Sequence, residues 1–283
     1  AGGPSPPGGA LSSCGNGGLS FQVGASGGAA GAVGLLHGFP QTRPSWAGLT
    51  PHLVGAGYRV LAPDQRGYSP GARPKRRRDY AIGRLVGDVL ALADAAGLKR
   101  FHVLGHDWGG GAGWALAEAH PERLLSLTSL STPHPRAMAA SMVRSNQALK
   151  SWYMLAFQLP WLPEAIIESN AGGERVRGAL IDAGMAPAEA DDSMELLRNG
   201  AARGALGWYR ALPFAGSQES RPTEVSTLYI YSTGDVALSR KAADLTENYV
   251  RGPYRYEVLE GVSHWIPDEA ADTVAPMILE HLA

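Results

Sequence analysis

Short apolar runs alternate with amphipathic stretches along much of the chain. Each run is rich in Val, Leu, Ile or Tyr and leads into Gly, Pro, Asp or His, a pattern typical of a buried strand followed by a turn. The predicted strands are Ala32–Leu36, Tyr58–Ala62, Arg100–Leu104, Leu124–Leu130, Val225–Tyr231 and Tyr254–Leu259. The predicted helices between the early strands are Pro44–Ala56, Ala81–Ala96 and Gly109–His120. This alternation predicts the α/β class, with a mostly parallel central sheet and flanking helices.

The alternation stops after Pro135. From about Ala137 to Arg221 the sequence has no convincing strand, and its amphipathic stretches are Ala140–Leu159, Glu174–Gly184 and Ala186–Arg210. A helical block inserted into such a sheet is typical of a lid over the carboxyl ends of the strands, where α/β proteins bind ligands. We therefore predict a core formed by residues 19–136 and 222–283, and an all-helical lid at 137–221.

The first 18 residues differ in composition from the rest. They are rich in Gly, Pro and Ser and lack the basic and apolar regions of a signal peptide. We expect a disordered tail there. The single cysteine, Cys14, excludes an internal disulfide and a Cys-based zinc site, and it favours a cytoplasmic protein as the default.

Charge and hydropathy exclude two classes of partner. The 283 residues include 25 Lys and Arg against 26 Asp and Glu, giving a net charge of −1, so we expect no nucleic-acid partner. The most apolar long stretch, at 81–98, contains Arg84, Asp88 and Asp94. It is therefore a poor membrane helix, and we expect a soluble protein without a membrane partner.

The clearest chemical motif is Gly105–Gly109, with the sequence GHDWG, between a predicted strand and a predicted helix. This is the G-x-Nu-x-G pattern of a nucleophile elbow, in which small flanking residues permit a sharp turn. Asp107 occupies the nucleophile position. A helix N-cap is its simpler reading, but the two glycines and the partners below favour catalysis. Serine versions at 24–28 and 67–71 lack the strand–turn–helix context.

Two further residues complete a nucleophile–acid–base order along the chain. His264 follows the last predicted strand through a Gly turn, which makes it the best base candidate among eight histidines. Asp235 follows the preceding predicted strand and is the candidate orienting acid, with an ordinary Asx turn as the alternative. The order Asp107, Asp235, His264 is that of the α/β-hydrolase fold. Backbone N–H groups of Phe39, in the turn HGFP, and of Trp108 are candidates for an oxyanion hole.

Together the motifs resemble the epoxide hydrolase branch of the α/β-hydrolases, from about residue 19 to the C-terminus. They occur in the family's order: HGFP at His37–Pro40, DQRGYSPG at Asp64–Gly71, GHDWGG at Gly105–Gly110, GD at Gly234–Asp235 and SHW at Ser263–Trp265. Two lid segments, at 152–158 and 207–210, resemble motifs that each place a tyrosine above the nucleophile. The matching residues are Tyr153 and Tyr209.

The resemblance implies a two-step hydrolysis of a small apolar epoxide. Asp107 attacks the ring and forms an ester, which water can hydrolyse, whereas a serine would leave a stable ether. Tyr153 and Tyr209 donate to the epoxide oxygen, and His264 with Asp235 activates water. We expect an apolar pocket, for which the candidates are Trp152, Phe157, Trp208 and Trp265. We expect no metal and no organic cofactor, since the chain has neither ligand-spaced clusters nor a complete G-x-G-x-x-G.

Two alternatives stay open at this point. A haloalkane or haloacetate dehalogenase uses the same Asp nucleophile, but such enzymes differ at the positions of Phe39 or Trp108. A non-catalytic binding module built on the same fold usually lacks a member of the nucleophile–acid–base set, whereas this chain keeps all three. The sequence does not give the oligomeric state, and a homodimer is one arrangement compatible with it.

Overall fold

The computed structural model describes residues 10–143, 145, 147–214 and 221–283. The strands in these ranges are β1 (Ala10–Asn16), β2 (Leu19–Ser26), β3 (Gly31–Leu36), β4 (Tyr58–Pro63), β5 (Phe101–His106), β6 (Leu124–Leu130), β7 (Thr227–Ser232) and β8 (Tyr254–Leu259). They form one sheet in the order β1-β2-β4-β3-β5-β6-β7-β8. β2 pairs antiparallel with β1 and with β4, and every other pairing between neighbouring strands is parallel. The predicted fold class is confirmed.

The helices divide into those of the sheet faces and those inserted after β6. The face helices are α1 (Thr50–Gly55), α2 (Ile82–Ala95), α3 (Trp108–Ala119), α11 (Arg240–Leu245), α12 (Ile266–Glu269) and α13 (Ala271–Leu282). The inserted helices are α4 (Pro135–Met142), α5 (Gln147–Lys150), α6 (Trp152–Ala156), α7 (Leu162–Glu168), α8 (Asn170–Asp182), α9 (Pro187–Leu196) and α10 (Ala202–Arg210). In the described part of the chain, no helix combines the length and apolar character needed to cross a bilayer.

Alternating strand residues build an apolar layer on each face of the sheet. In β3, Leu35 packs with α1 and α13, whereas Leu36 packs on the opposite face with α2 and α3. Both are fully buried, as the two-residue period of a strand covered on both faces requires. This double burial explains why the central strands read as nearly continuous apolar runs.

The N-terminal segment corrects the predicted tail. Ala10–Asn16 pairs with Leu19–Ser26 as a hairpin, and residues 1–9 lie outside the described residues. Gly17 and Gly18 both have positive φ, at 55° and 83°, as a tight two-residue hairpin turn requires. The Gly- and Ser-rich composition gives no strand signal in the sequence. The strands form because β2 pairs with β4, a contact between segments far apart in the chain.

Two of the predicted lid stretches are interrupted. The stretch Ala140–Leu159 is divided among α4, α5 and α6. The stretch Ala186–Arg210 kinks between α9 and α10, where Gly200 adopts a φ of 87°. Beyond the kink, α10 contacts the core closely: the indole N–H of Trp208 donates to the carbonyl of Arg66 at 2.7 Å. The kink therefore lets α10 turn onto the loop that follows β4.

Candidate active site

Asp107 lies in a strained turn at the carboxyl end of β5. Its φ of 49° and ψ of −122° are unusual for a residue other than glycine. A Cβ at Gly105 would overlap the carbonyl of Gly109, and a Cβ at Gly109 would overlap the carbonyl of Leu36. Both flanking glycines are therefore required for the close approach of α3 to β3 and β5. Backbone strain of this kind is concentrated at functional sites.

The two carboxylate oxygens of Asp107 have different environments. Oδ1 accepts the backbone N–H of Phe39 at 2.8 Å. Oδ2 lies 3.7 Å from Nε2 of His264. A Cβ at Gly38 would overlap the carboxylate, so glycine at this position leaves room for it. One oxygen is thus anchored at the HGFP turn, and the other faces the imidazole.

His264 and Asp235 meet as the sequence order predicts. Nδ1 of His264 lies 2.7 Å from Oδ2 of Asp235, and both side chains are buried. Oδ1 of Asp235 accepts the backbone N–H groups of Ala237 and Leu238 at 2.7 and 2.8 Å. With these donors on Oδ1, the second oxygen is directed at Nδ1, which leaves Nε2 facing Asp107.

Two side chains hold the backbone of His264. Its carbonyl accepts Nε2–H of His106 at 2.9 Å and the hydroxyl of Ser131 at 2.8 Å. Ser131 follows β6 with a φ of 65°, a further non-glycine residue in the left-handed region. Burial lowers the pKa of His106 to about 4, so this ring stays neutral and acts as a hydrogen-bond donor. Neither His106 nor Ser131 is among the functional candidates predicted from the sequence.

The resting site holds an ion pair. Burial alone would lower the pKa of His264, but the charges and hydrogen bonds of Asp235 and Asp107 outweigh it and raise that pKa to about 10. Burial alone would raise the pKa of Asp107, but the hydrogen bond and charge of His264, with the Phe39 N–H, lower it. At neutral pH the nucleophile is therefore a carboxylate, and His264 is an imidazolium.

Both candidate tyrosines lie in a cluster of aromatic rings that includes Phe39 and Trp108. The ring of Tyr209 stands edge-on to Phe39 at 5.4 Å and to Trp108 at 5.1 Å. The ring of Tyr153 lies 6.0 Å from that of Tyr209. Burial raises the pKa of both phenols, and the negative charge of Asp107 raises it further. Both therefore keep their protons at neutral pH and can donate them.

The four predicted pocket residues occupy different places. The ring of Phe157 lies 5.7 Å from that of Phe39, inside the aromatic cluster. Trp208 is buried, and its ring stands edge-on to that of Trp108 at 5.9 Å. The ring of Trp265 packs edge-on against that of His264 at 5.0 Å.

The prediction for Trp152 is wrong, because this side chain is 67% exposed. On α6, Tyr153 and Phe157 are four residues apart and share the inner face. Trp152 is turned away from that face by the helical period, so it points to solvent.

A carboxyl pair between lid and core gave no signal in the sequence. Asp268 of α12 accepts the side-chain N–H of Gln41 at 2.6 Å and contacts Glu189 of α9. Burial raises the pKa of Asp268 to about 8, and the charge of Glu189 adds to this. Burial also raises the pKa of Glu189. Both carboxyls, at the boundary between lid and core, are therefore easier to protonate than ordinary carboxyls. Within the described ranges, no group of three or more His, Cys, Asp or Glu residues is placed to hold a metal ion.

Comparison with known proteins agrees with this geometry. A family model described as the alpha/beta hydrolase fold matches residues 31–170. The AB hydrolase superfamily protein YfhM of Bacillus subtilis is 37% identical over 277 residues, which cover 94% of this chain and 95% of that protein. The chain belongs to the α/β-hydrolase superfamily.

Further relatives of this α/β-hydrolase define its branch. Epoxide hydrolase A of Mycobacterium tuberculosis is 30% identical, with 88% of this chain and 89% of that protein covered. The crystal structure of Epoxide Hydrolase A from Mycobacterium thermoresistibile has a TM-score of 0.82 at 26% identity, covering 97% of this chain and 98% of that one. These similarities place the chain in the epoxide hydrolase branch of the superfamily.

Proposed function

We propose that this α/β-hydrolase opens apolar epoxides to vicinal diols through a covalent ester on Asp107. One observation carries the proposal. The Asp107 carboxylate lies beside an imidazole, and it is close enough to the two lid phenols for its negative charge to raise their pKa. A carboxylate suits attack on an sp³ carbon, and phenols suit protonation of the alkoxide that this attack produces. The names of the relatives above support the same reaction.

In the first step, Oδ2 of Asp107 attacks a ring carbon and the C–O bond of the epoxide breaks. Oδ2 is the nucleophilic oxygen because Oδ1 is engaged by the Phe39 N–H at 2.8 Å. The oxygen released from the ring takes a proton from Tyr153 or Tyr209. The product is a hydroxyalkyl ester whose carbonyl oxygen, Oδ1, already lies in the oxyanion hole.

Ester formation also changes the charge around His264. The carboxylate of Asp107 supplies part of the interaction that raises the pKa of His264, and the ester carries no charge. His264 then gives up its proton, which replaces the one lost by the tyrosine. The first half-reaction is thereby balanced, and it leaves a neutral imidazole beside the ester.

In the second step, Nε2 of His264 takes a proton from water, and the hydroxide attacks the ester carbonyl carbon. The N–H groups of Phe39 and Trp108 stabilise the negative charge on Oδ1. The bond between Oδ2 and the carbonyl carbon of Asp107 then breaks, and Oδ2 takes the remaining proton of the attacking water and leaves as a hydroxyl of the diol. Asp107 is a carboxylate again, with one oxygen from solvent, and His264 is again an imidazolium.

The lining of the site favours an apolar substrate. Rings of Phe39, Trp108 and Phe157 surround the two phenols, and these contacts are between aromatic faces and edges. Such a wall offers hydrophobic contact with few polar partners beyond the reacting groups. An epoxide with an aryl or alkyl substituent fits this chemistry.

The function is tested with styrene oxide, 1-chlorobutane and fluoroacetate. We expect diol from the epoxide and no halide release. We also expect Asp107→Ala to abolish diol formation, while Asp182→Ala, at an exposed aspartate of the lid, retains it. Halide release without diol would favour a dehalogenase. Binding of styrene oxide without any product would favour a binding module.

A further inference from the structure

The loop from Asp235 to Ser239 determines where the orienting carboxylate lies. It follows β7 and has no helical or strand structure. The N–H groups of Ala237 and Leu238 point inward to Oδ1 of Asp235. Because the loop belongs to no helix or strand, its other backbone N–H and carbonyl groups need hydrogen-bond partners elsewhere. Two lid side chains bond four of these groups.

Lys150, at the end of α5, bonds two carbonyls of this loop. Its ammonium Nζ donates to the carbonyl of Asp235 at 2.8 Å and to that of Leu238 at 3.0 Å. These are charge-assisted hydrogen bonds, which are stronger than bonds between neutral groups. Lys150 thereby ties together the two ends of the turn that encloses the Asp235 carboxylate.

Gln147, one helical turn before Lys150, bonds two more backbone groups of the loop. Its side-chain Nε2 donates to the carbonyl of Ala237 at 2.9 Å, and its Oε1 accepts the N–H of Ser239 at 2.8 Å. The side chain is fully buried, and Nε2 also reaches the hydroxyl of Ser151 at 3.0 Å. Residues three apart share one face of a helix, so a single face of α5 bonds four backbone groups of the loop.

We propose that Lys150 and Gln147 are positioning residues that hold the Asp235 carboxylate against His264 when α5 is seated on the core. The inference rests on the proposed function, in which His264 must accept a proton from water. Without these bonds the loop can turn, and the hydrogen bond between Asp235 and Nδ1 of His264 lengthens. Ester hydrolysis depends on that bond, whereas ring opening depends on Asp107 and the phenols. The packing of α5 on the core and the orientation of His264 by Asp235 therefore occur together.

The test is Lys150→Met, which keeps the aliphatic stem and removes the donors. We expect kcat to fall by up to ~10²-fold, as for a small misplacement of a catalytic group. Alkylated enzyme should accumulate during turnover of styrene oxide, while the single-turnover rate of alkylation changes little. Lys150→Arg should restore part of kcat. Lys241→Met, at an exposed lysine of the nearby helix α11, is the matched control and should behave as wild type.

A measurement without substrate separates this proposal from the proposed function. The Nδ1–H proton of His264, hydrogen-bonded to Asp235, should give a low-field NMR resonance in the wild type. We expect Lys150→Met to shift or broaden it and Lys241→Met to leave it unchanged. An unchanged resonance together with wild-type kcat in Lys150→Met would overturn the proposal. If wild type makes no diol, the proposed function fails and the resonance alone decides.

A second variant covers the case in which Lys150→Met does not fold. Gln147→Glu keeps an acceptor for the Ser239 N–H but sets a carboxylate oxygen against the carbonyl of Ala237. We expect the same displacement of the His264 resonance and the same accumulation of alkylated enzyme. Wild-type behaviour in this variant would contradict the positioning role.

Discussion

Replacing His264 by Gln separates the two half-reactions. Gln is similar in size and can keep a hydrogen bond to Asp235, but it cannot act as a base near neutral pH. Loss of a general base should slow ester hydrolysis by about 10²–10⁴-fold, or ~3–5 kcal/mol in barrier height. The alkyl-enzyme should then accumulate to one adduct per site.

The structure also sets the conditions for this experiment. An imidazolium 3.7 Å from Oδ2 of Asp107 contributes about 4 kcal/mol of attraction at an effective dielectric of ~20. The variant loses this attraction, so its Asp107 is easier to protonate. Alkylation should therefore be followed at about pH 9, where the nucleophile stays ionised.

Intact-protein mass spectrometry after mixing with styrene oxide provides the assay. We expect a mass increase equal to that of the epoxide, located on the peptide that contains Asp107. His52→Gln, at a partly exposed histidine paired with Asp272, is the control and should turn over normally. Steady turnover by His264→Gln would refute the base assignment. Loss of turnover at about pH 9 without an adduct would show that His264 is required earlier, in ring opening.

Three further outcomes follow from the geometry. Tyr153→Phe combined with Tyr209→Phe keeps both rings but should slow ring opening by about 10²–10⁴-fold; a near-normal burst would contradict the phenol role. Gly38→Ala places a methyl group on the nucleophilic carboxylate, so single-turnover alkylation should fall by at least ~10²-fold; an unchanged rate would be inconsistent with this contact. Asp268 has a pKa raised from 3.8 to about 8 in the folded state, by burial and by Glu189. The stabilisation from its proton is therefore complete below pH 3.8 and is lost as the pH rises through about 8. Asp268→Asn should gain in melting temperature relative to wild type between about pH 5 and 8, and parallel curves would argue against the pair.

The sheet and the elbow could be predicted because their signals are local. Each central strand is apolar on both faces and ends in a turn residue, so its position can be read from a few neighbouring residues. Asp107 is similarly marked by its two glycines, which are needed for backbone approach rather than for chemistry. Asp235 and His264 follow because parallel strands bring their carboxyl ends to one edge of a sheet.

The remaining features depend on contacts between distant segments. The hairpin of β1 and β2 has a weak strand composition and is stabilised by pairing onto β4. The inward face of α6 is set by how the lid packs, so the sequence alone did not show that Trp152, next to Tyr153, points to solvent. The bonds from Lys150 to the Asp235 loop also join residues far apart in the chain. Such contacts leave no periodic pattern in the sequence.

A single turnover in ¹⁸O-labelled water examines whether the carboxylate of Asp107 bonds to substrate carbon. With enzyme in excess over styrene oxide, the diol oxygens should come from the epoxide and from the unlabelled carboxylate. The label should appear in the peptide that contains Asp107. Label found in the diol after the first turnover, with none in that peptide, would mean that water attacks the epoxide itself and would contradict an ester intermediate.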